Sequence, residues 1–274
     1  MSTFQTTDKT TLFFQDWGSG QPVLFVHSWA MNSTMWDPHM AHFNRLGLRT
    51  LAMDRRGHGR SDAPGTGYHY DRLADDLAEL IEHCDLHNLT LVGHSMGCAE
   101  IVRYLARHGA SRIARVVLIA PVMPCFLKSA SNPDGVEMNV IEGLQEVLRK
   151  DFPKWLADNA DDFFLPTSWG TTPEFTQHTI DMMLSTVFNA AMTCLHTKMT
   201  TDLRGWLAEI TVPALVIHGD RDVSEPVEGG RLTAQLIRNS QYREYAGAPH
   251  GIYHTHMSQV LGDILHFAEL GKAG

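Results

Sequence analysis

The sequence predicts an α/β fold built on a mostly parallel sheet. Short apolar runs bounded by turn residues recur along the chain, and several are followed by amphipathic stretches of helical length, which is typical of strand-helix units. The 274 residues are 43% hydrophobic and 19% charged, which is enough apolar material for one large core. Since α/β folds of about 250 residues or more form single units, we expect one domain with an insertion.

The strands are predicted in chain order. The first covers residues 12–17 and ends at Gly18-Ser19-Gly20, which is a hairpin-type turn. The next runs are continuously apolar rather than alternating, as expected for central strands buried on both faces. They cover residues 23–26, 50–53, 89–92, 116–119 and 214–217. The last predicted strand covers residues 242–245.

Helices are predicted between these strands. Residues 73–84 carry apolar side chains three and four positions apart, which form a stripe that would lie against the sheet, and residues 101–106 repeat the pattern. The stretch from about residue 121 to about residue 204 differs, because it is rich in Met, Phe and Trp and shows no clear buried strand. We expect it to be a helical cap (residues 121–204) inserted into a core of residues 1–120 and 205–274.

The chain is acidic, with a net charge of -9, so no basic surface is expected for neutralising phosphates. Nucleic acids and membranes are not expected as partners, and no apolar stretch reaches the ~20 residues that a membrane helix needs. No signal peptide is visible. The cysteines are widely spaced, which favours a reducing compartment. We expect a cytoplasmic protein, and the composition is compatible with a homo-oligomer.

The sharpest motif is Gly93-His94-Ser95-Met96-Gly97, which follows a predicted strand and precedes a predicted helix. A serine on a tight strand-to-helix turn needs small neighbours, because the backbone is strained and the sheet and helix approach closely. The turn lifts the Ser95 hydroxyl clear of the sheet. The unpaired N–H groups at the helix start favour a developing oxyanion. Ser95 is therefore the predicted nucleophile.

A serine hydroxyl needs a base to remove its proton, and the base needs an orienting acid. His250 is the candidate base, because it lies in a loop after the last predicted strand between small and rigid neighbours. The acid should follow the strand at residues 214–217, where Asp220 and Asp222 compete. Asp222 is favoured because it lies further beyond the strand end, where a carboxylate can turn towards the histidine. Asp220 is expected to brace the turn.

These motifs together resemble the α/β-hydrolase superfamily over almost the whole chain. They comprise residues 93–97, 218–222 and 248–251 and the segment Asp54-Arg-Arg-Gly-His-Gly-Arg-Ser61. More narrowly, the chain is similar to the cofactor-free bacterial haloperoxidase and arylesterase group. The segments that carry this second resemblance are residues 101–109, 118–124, 131–135 and 245–251.

The resemblance implies an α/β-hydrolase fold, with a mostly parallel eight-stranded sheet flanked by helices and a helical cap insertion. It implies a Ser-His-Asp ester hydrolase that uses no cofactor and no metal, with perhydrolysis and weak halogenation as side activities. Ser95, Asp222 and His250 carry over as the triad. Many apolar side chains in the cap predict an apolar pocket for a small ester, lactone or aryl substrate.

The oxyanion hole is predicted to use the backbone N–H of Met96, directly after the nucleophile, and a second N–H from the loop after residues 23–26. Matched position by position to the family, the second donor is Trp29, whose ring is also expected to form part of the substrate wall. Ser28 stands where the family usually has glycine. This departure affects the expected geometry of the hole.

Other functions share this fold. Haloalkane dehalogenases and epoxide hydrolases attack with a carboxylate, so Ser95 argues against them. A cofactor-free dioxygenase acting on a hydroxyquinolone is a second hypothesis, because that group also has a His-Ser-Trp string after its third strand. A non-catalytic small-ligand receptor is a third, since a triad shows that chemistry is possible and not that turnover is the role.

The sixteen histidines and the glycine-rich loop invite further interpretations. His250, His254 and His256 form a string with metal-ligand spacing, but no cluster of thiolates or carboxylates completes a ligand set. Gly57 and Gly59 follow a strand without the spacing of a phosphate-binding loop. We expect the glycine segment to be a structural turn, and we expect only one histidine, His250, to take part in catalysis.

Overall fold

The computed structural model describes residues 2–268, in which eight strands form one sheet. The strands are β1 (Ser2–Gln5), β2 (Thr11–Trp17), β3 (Pro22–Val26), β4 (Arg49–Met53), β5 (Leu89–His94), β6 (Ile113–Ile119), β7 (Ala214–Gly219) and β8 (Ser240–Tyr245). Their order in space is β1-β2-β4-β3-β5-β6-β7-β8. The pairs β1/β2 and β2/β4 are antiparallel, and all other neighbours are parallel.

This arrangement confirms the predicted fold class. β5 and β7 are buried at every residue, and β3 at every residue except the first. Strands covered on both faces read as continuous apolar runs, which is why these were visible in the sequence. The carboxyl ends of β5 and β7 lead directly into the loops that carry the candidate site.

Two expectations about the first strands are wrong. Residues 12–17 form the second strand, because β1 precedes them. β1 is a short edge strand with a single buried residue, Phe4, so it carried almost no apolar signal. The turn Gly18-Ser19-Gly20 does not close a hairpin, since β2 pairs with β1 and β4 and not with β3. The turn instead packs closely on the loop before β4, where a Cβ on Gly20 would lie 2.3 Å from the Gly47 carbonyl oxygen.

Helices cover the sheet and fill the segment between β6 and β7. Those outside that segment are α1 (Asp37–Arg45), α2 (Tyr70–His83), α3 (Met96–His108), α10 (Val227–Leu236), α11 (Ile252–Thr255) and α12 (Met257–Ala268). The short helix α9 (Arg204–Ala208) lies within the segment, after the cap helices and before β7. A 3₁₀ turn, Ser33–Trp36, precedes α1. α2 has the predicted amphipathic pattern: it buries Leu73, Leu77, Leu80 and Ile81 and packs against α3.

The helical cap consists of α4 (Met138–Lys150), α5 (Phe152–Phe164), α6 (Pro166–Trp169), α7 (Pro173–Leu184) and α8 (Phe188–Thr200). Hydrogen bonds fasten it to loops of the sheet. The Trp29 indole N–H donates to the Ala191 carbonyl at 2.8 Å, and the Thr186 hydroxyl donates to the Ala30 carbonyl at 2.8 Å. The division into core and cap at residues 121 and 204 stays a prediction. No helix within residues 2–268 has the length and apolarity to cross a membrane.

Candidate active site

Ser95 lies at the sharp turn between β5 and α3. Its backbone has φ 54° and ψ -119°, a conformation that costs a non-glycine residue about 1–3 kcal/mol and that clusters at functional sites. The flanking glycines permit it. A Cβ on Gly93 would lie 2.9 Å from the backbone nitrogen of Cys98, and one on Gly97 would lie 2.5 Å from the Val26 carbonyl oxygen. Sheet and helix therefore approach too closely here for any other residue.

His250 and Asp222 come together in the loops that follow β8 and β7. The His250 Nδ1–H donates to Asp222 Oδ2 at 2.6 Å, and both residues are buried. The other carboxylate oxygen accepts the backbone N–H groups of Ser224 at 2.9 Å and Glu225 at 2.8 Å. A carboxylate that accepts from Nδ1 sets the tautomer, so Nε2 is the ring nitrogen free to take a proton.

The electrostatics of this pair favour an ionised acid. Burial by itself would raise the pKa of the Asp222 carboxyl. The interactions of the carboxylate with His250 and His218 outweigh burial and hold that pKa below its ordinary value. Asp222 is therefore a buried carboxylate that stays charged and can stabilise an imidazolium.

Asp220 contacts the backbone of the His250 loop instead of the imidazole. Its Oδ1 accepts the Gly247 N–H at 2.6 Å, while its own N–H donates to the Tyr245 carbonyl at 3.2 Å. It links the end of β8 to the turn after β7. The two competing carboxylates thus lie in different places, one against the ring of His250 and one against its loop.

Two further histidines, His94 and His218, form hydrogen bonds to the loops that carry His250 and Asp222. The His94 Nε2–H donates to the His250 carbonyl at 2.9 Å. Burial and the neighbouring His250 lower the pKa of His94 to about 3, so it is neutral. His218 Nε2 lies 2.9 Å from the Glu225 carbonyl, to which it donates, and 3.3 Å from Asp222 Oδ2. The sequence interpretation assigned no role to His218, although its position four residues before Asp222 was a usable signal.

The loop that offers Trp29 is held by a buried ion pair. Arg55 contacts Glu100 on α3, and both side chains are buried. The same guanidinium donates to the carbonyls of His27 at 2.9 Å and Ser28 at 3.3 Å. Arg55 therefore ties the loop after β3 to the helix that follows Ser95. Sequence reasoning missed this pair, because its partners lie 45 residues apart in the chain.

The backbone at Ser28 does not have the positive φ that favours glycine. Ser28 is absent from the described non-glycine residues with positive φ, whereas Ala30, two positions on, has φ 55°. The Ser28 N–H donates to the Met35 sulfur at 3.4 Å. The Trp29 backbone N–H has no hydrogen-bond partner within residues 2–268. The Met96 N–H has no partner within the helix either, because it belongs to the first turn of α3.

Ser95, His250 and Trp29 line one cavity of about 270 Å³ between the sheet and the cap. Its walls are mostly apolar side chains of the cap. They include Leu144, Trp155, Leu156, Phe163, Phe164 and Met183. The rings of Phe152 and Trp155 meet the Trp29 ring edge-on at 5.9 and 6.0 Å. The cavity has the size and character of a site for a small apolar molecule.

His250, His254 and His256, which have metal-ligand spacing in the sequence, do not form a metal site in the structure. His254 stacks on Phe175 with ring centroids 3.5 Å apart, and the His256 ring lies 4.1 Å from that of Trp169. Over the part of the chain that the structure describes, no group of three or more His, Cys, Asp or Glu side chains is placed to hold a metal ion.

Comparison with known proteins agrees with this geometry. The family model described as alpha/beta hydrolase fold matches residues 21–257. The chain is 36% identical to a non-heme chloroperoxidase, CPO-A1, of Kitasatospora aureofaciens over 90% of this chain and 91% of that one. It is 33% identical to a bifunctional esterase/perhydrolase, DCH, of Acinetobacter calcoaceticus over 96% and 97%.

A solved bromoperoxidase from Bacillus anthracis superposes with a TM-score of 0.90 at 31% identity, covering 98% of this chain and 100% of that one. The predicted resemblance to haloperoxidases and esterases is thereby confirmed. The chain is an enzyme of the α/β-hydrolase superfamily, and it belongs to that family over nearly its whole length.

Proposed function

We propose that this protein is a serine hydrolase that cleaves small, largely apolar carboxylic esters or lactones through an acyl-enzyme. The observation that carries the proposal is the cavity itself. One apolar space is lined by a serine on a strained strand-to-helix turn and by a histidine whose Nδ1–H is held by a buried carboxylate. Nucleophile, base and orienting acid are the parts that acyl transfer needs.

In acylation, His250 Nε2 takes the hydroxyl proton of Ser95 as its oxygen attacks the ester carbonyl. The imidazolium that forms is stabilised by Asp222, which is already ionised. The backbone N–H groups of Trp29 and Met96 receive the oxyanion. The imidazolium then protonates the departing alcohol, which leaves Ser95 as an ester.

In deacylation, water enters the position of the alcohol. His250 takes a proton from the water as it attacks the acyl-enzyme, and Ser95 leaves with that proton. Hydrogen peroxide can replace water in this step and gives a peracid. The relative named as a bifunctional esterase/perhydrolase supports this side activity, as do the relatives named as non-heme haloperoxidases.

The direct test is reaction with an aryl organophosphonate, followed by peptide mass spectrometry. We expect one covalent label per chain, on Ser95. Ser95→Ala should abolish both labelling and ester turnover, while Ser129→Ala, at an exposed serine away from the cavity, should retain both. A folded protein that is not labelled at Ser95 would refute the nucleophile assignment.

A panel of aryl esters and lactones separates this proposal from the two alternatives. Fast multiple turnover supports the hydrolase, whereas a single slow turnover points to a receptor that retains the triad. Oxygen consumption with a hydroxyquinolone, in the absence of ester turnover, points to the dioxygenase. Peracid formation in the presence of hydrogen peroxide measures the side activity.

A further inference from the structure

An ion pair lies in the wall of the otherwise apolar cavity. Lys198 of α8 and Glu225, in the loop between β7 and α10, both line it. Their side chains contact each other through Nζ and Oε1, and they are only 14% and 1% exposed. Oε2 of Glu225 accepts the Met123 backbone N–H at 3.1 Å. The pair joins the cap to the loop that carries the candidate acid.

The ammonium of Lys198 is not saturated by these contacts. It has three N–H donors, and Glu225 is its one hydrogen-bond acceptor within residues 2–268. Lys198 Nζ also lies over the face of the Phe126 ring, 5.6 Å from its centroid. A buried ion pair contributes little to stability compared with apolar residues of the same size. Donors in an apolar cavity instead bind whatever oxygen a ligand brings there.

The charges around Lys198 decide which oxygen fits. Glu225 already balances the ammonium, and the Glu225 N–H donates to the Asp222 carboxylate at 2.8 Å, so two carboxylates lie on this side of the cavity. Asp162 is the second acidic residue of the cavity lining besides Glu225. A carboxylate on the substrate would meet net negative charge. A neutral oxygen would accept an N–H without that repulsion.

We propose that Lys198, oriented by Glu225, is a specificity-determining residue that binds a second, uncharged oxygen of the substrate. The substrate class is then esters or lactones with an ether, keto or hydroxyl oxygen in addition to the scissile group. This inference rests on the proposed hydrolase function, and it adds to that function a preference within the ester class.

The test compares isosteric esters in which one methylene is replaced by oxygen. On the acyl side these are 4-nitrophenyl 3-ethoxypropanoate and 4-methoxybutanoate against the hexanoate. On the alcohol side it is 2-methoxyethyl against butyl benzoate. The selectivity is the ratio of kcat/KM for the ether to kcat/KM for the hydrocarbon. A charge-assisted hydrogen bond that is lost in a closed site costs at least about ten-fold.

The double variant Lys198→Met/Glu225→Gln removes both charges and leaves neither one buried alone. We expect the selectivity for at least one ether to fall about ten-fold or more. Because the selectivity is a ratio, a change in rate that affects both esters equally cancels from it. Lys154→Met is the matched control, because Lys154 is paired with Asp158 on the same cap but is 66% exposed and outside the cavity lining. It should leave the selectivity unchanged.

The single variant Glu225→Gln provides an independent reading, since it leaves the ammonium uncompensated. The test substrate is a carboxylate-bearing ester, 4-nitrophenyl hydrogen glutarate. Its kcat/KM, relative to that of the uncharged 4-nitrophenyl hexanoate, should rise about ten-fold in this variant. This measurement uses a different substrate pair and therefore does not depend on the result of the double variant.

Selectivities that do not change in either variant would overturn the role of Lys198. A wild-type preference for the glutarate ester would overturn the neutral-oxygen class. Wild-type protein that hydrolyses none of these esters would refute the proposed function itself, which is distinguishable from normal hydrolysis without selectivity.

Discussion

The cap contacts the loop of His250 at both of its ends. The Trp169 indole N–H donates to the Gly247 carbonyl at 2.8 Å, and the Gly251 N–H donates to the Phe163 carbonyl at 2.7 Å. Between these bonds the Phe163 ring meets the His250 ring edge-on, with centroids 5.2 Å apart. We therefore expect Trp169 to act as a positioning residue, which holds His250, the proposed base, in place relative to Ser95.

The variant Trp169→Phe removes the indole N–H and retains an aromatic ring beside His256. One hydrogen bond of a partly exposed side chain contributes about 0.5–1.5 kcal/mol net. Each 1.4 kcal/mol is a factor of ten in rate. If the whole free energy of this hydrogen bond serves to position His250, its loss lowers kcat about 2- to 10-fold. KM should stay the same, because Trp169 is not part of the cavity wall.

Steady-state kinetics on a 4-nitrophenyl ester measures this split, and the rate of organophosphonate labelling should fall in parallel with kcat. Trp206→Phe is the control, because the Trp206 ring lies under the Arg103 guanidinium and meets the Tyr70 ring edge-on, away from the site. A variant with unchanged kcat, or one in which only KM rises, would refute the positioning role. An equal fall in the control would show a general loss of packing.

Three other predictions concern the acid, the supporting histidine and the turn after β7. Asp222→Asn should lower kcat by roughly 10⁴ through loss of the imidazole tautomer, whereas Asp220→Asn, which keeps an acceptor for the loop, should cost less than about 10-fold; kinetics on both variants distinguishes the two carboxylates. Because the pKa of His94 is lowered to about 3 in the fold, stability is full above its ordinary value near 6.5 and falls as the pH drops below it, by up to about 1.4 kcal/mol per pH unit. His94→Gln should remove that increment from the free energy of unfolding measured between pH 4 and 6.5, and an unchanged slope would contradict a neutral His94. Gly219→Ala would place a Cβ 2.1 Å from a backbone carbonyl of the next loop and should abolish activity or lower Tm, while Gly262→Ala, with nothing within 4 Å, should do neither.

Much of the fold could be predicted because its signals are local. A strand buried on both faces must be apolar at every position, so β3, β5 and β7 are visible as continuous runs. A serine between two glycines marks a turn that only glycine neighbours allow. β1 was missed because an edge strand with one buried side chain does not form a continuous apolar run.

Strand order was decided only by the tertiary structure. The glycines at residues 18–20 mark a turn, but a turn does not specify which strand its neighbours pair with. β2 lies beside β4 and not beside β3, because both edges of β3 are already paired, one with β4 and one with β5. The register of a sheet depends on which faces are covered, and that is a property of the packed chain.

The sequence by itself determined the fold class and indicated which residues are candidates for the chemistry, because glycine conformation, strand burial and loop position each depend on a few neighbouring residues. Only the tertiary structure decided what surrounds them. Arg55 meets Glu100, Trp169 meets Gly247 and Lys198 meets Glu225 across 27 to 78 residues of chain. Contacts between such distant residues form only when the sheet, its covering helices and the cap pack together, so no local pattern predicts them.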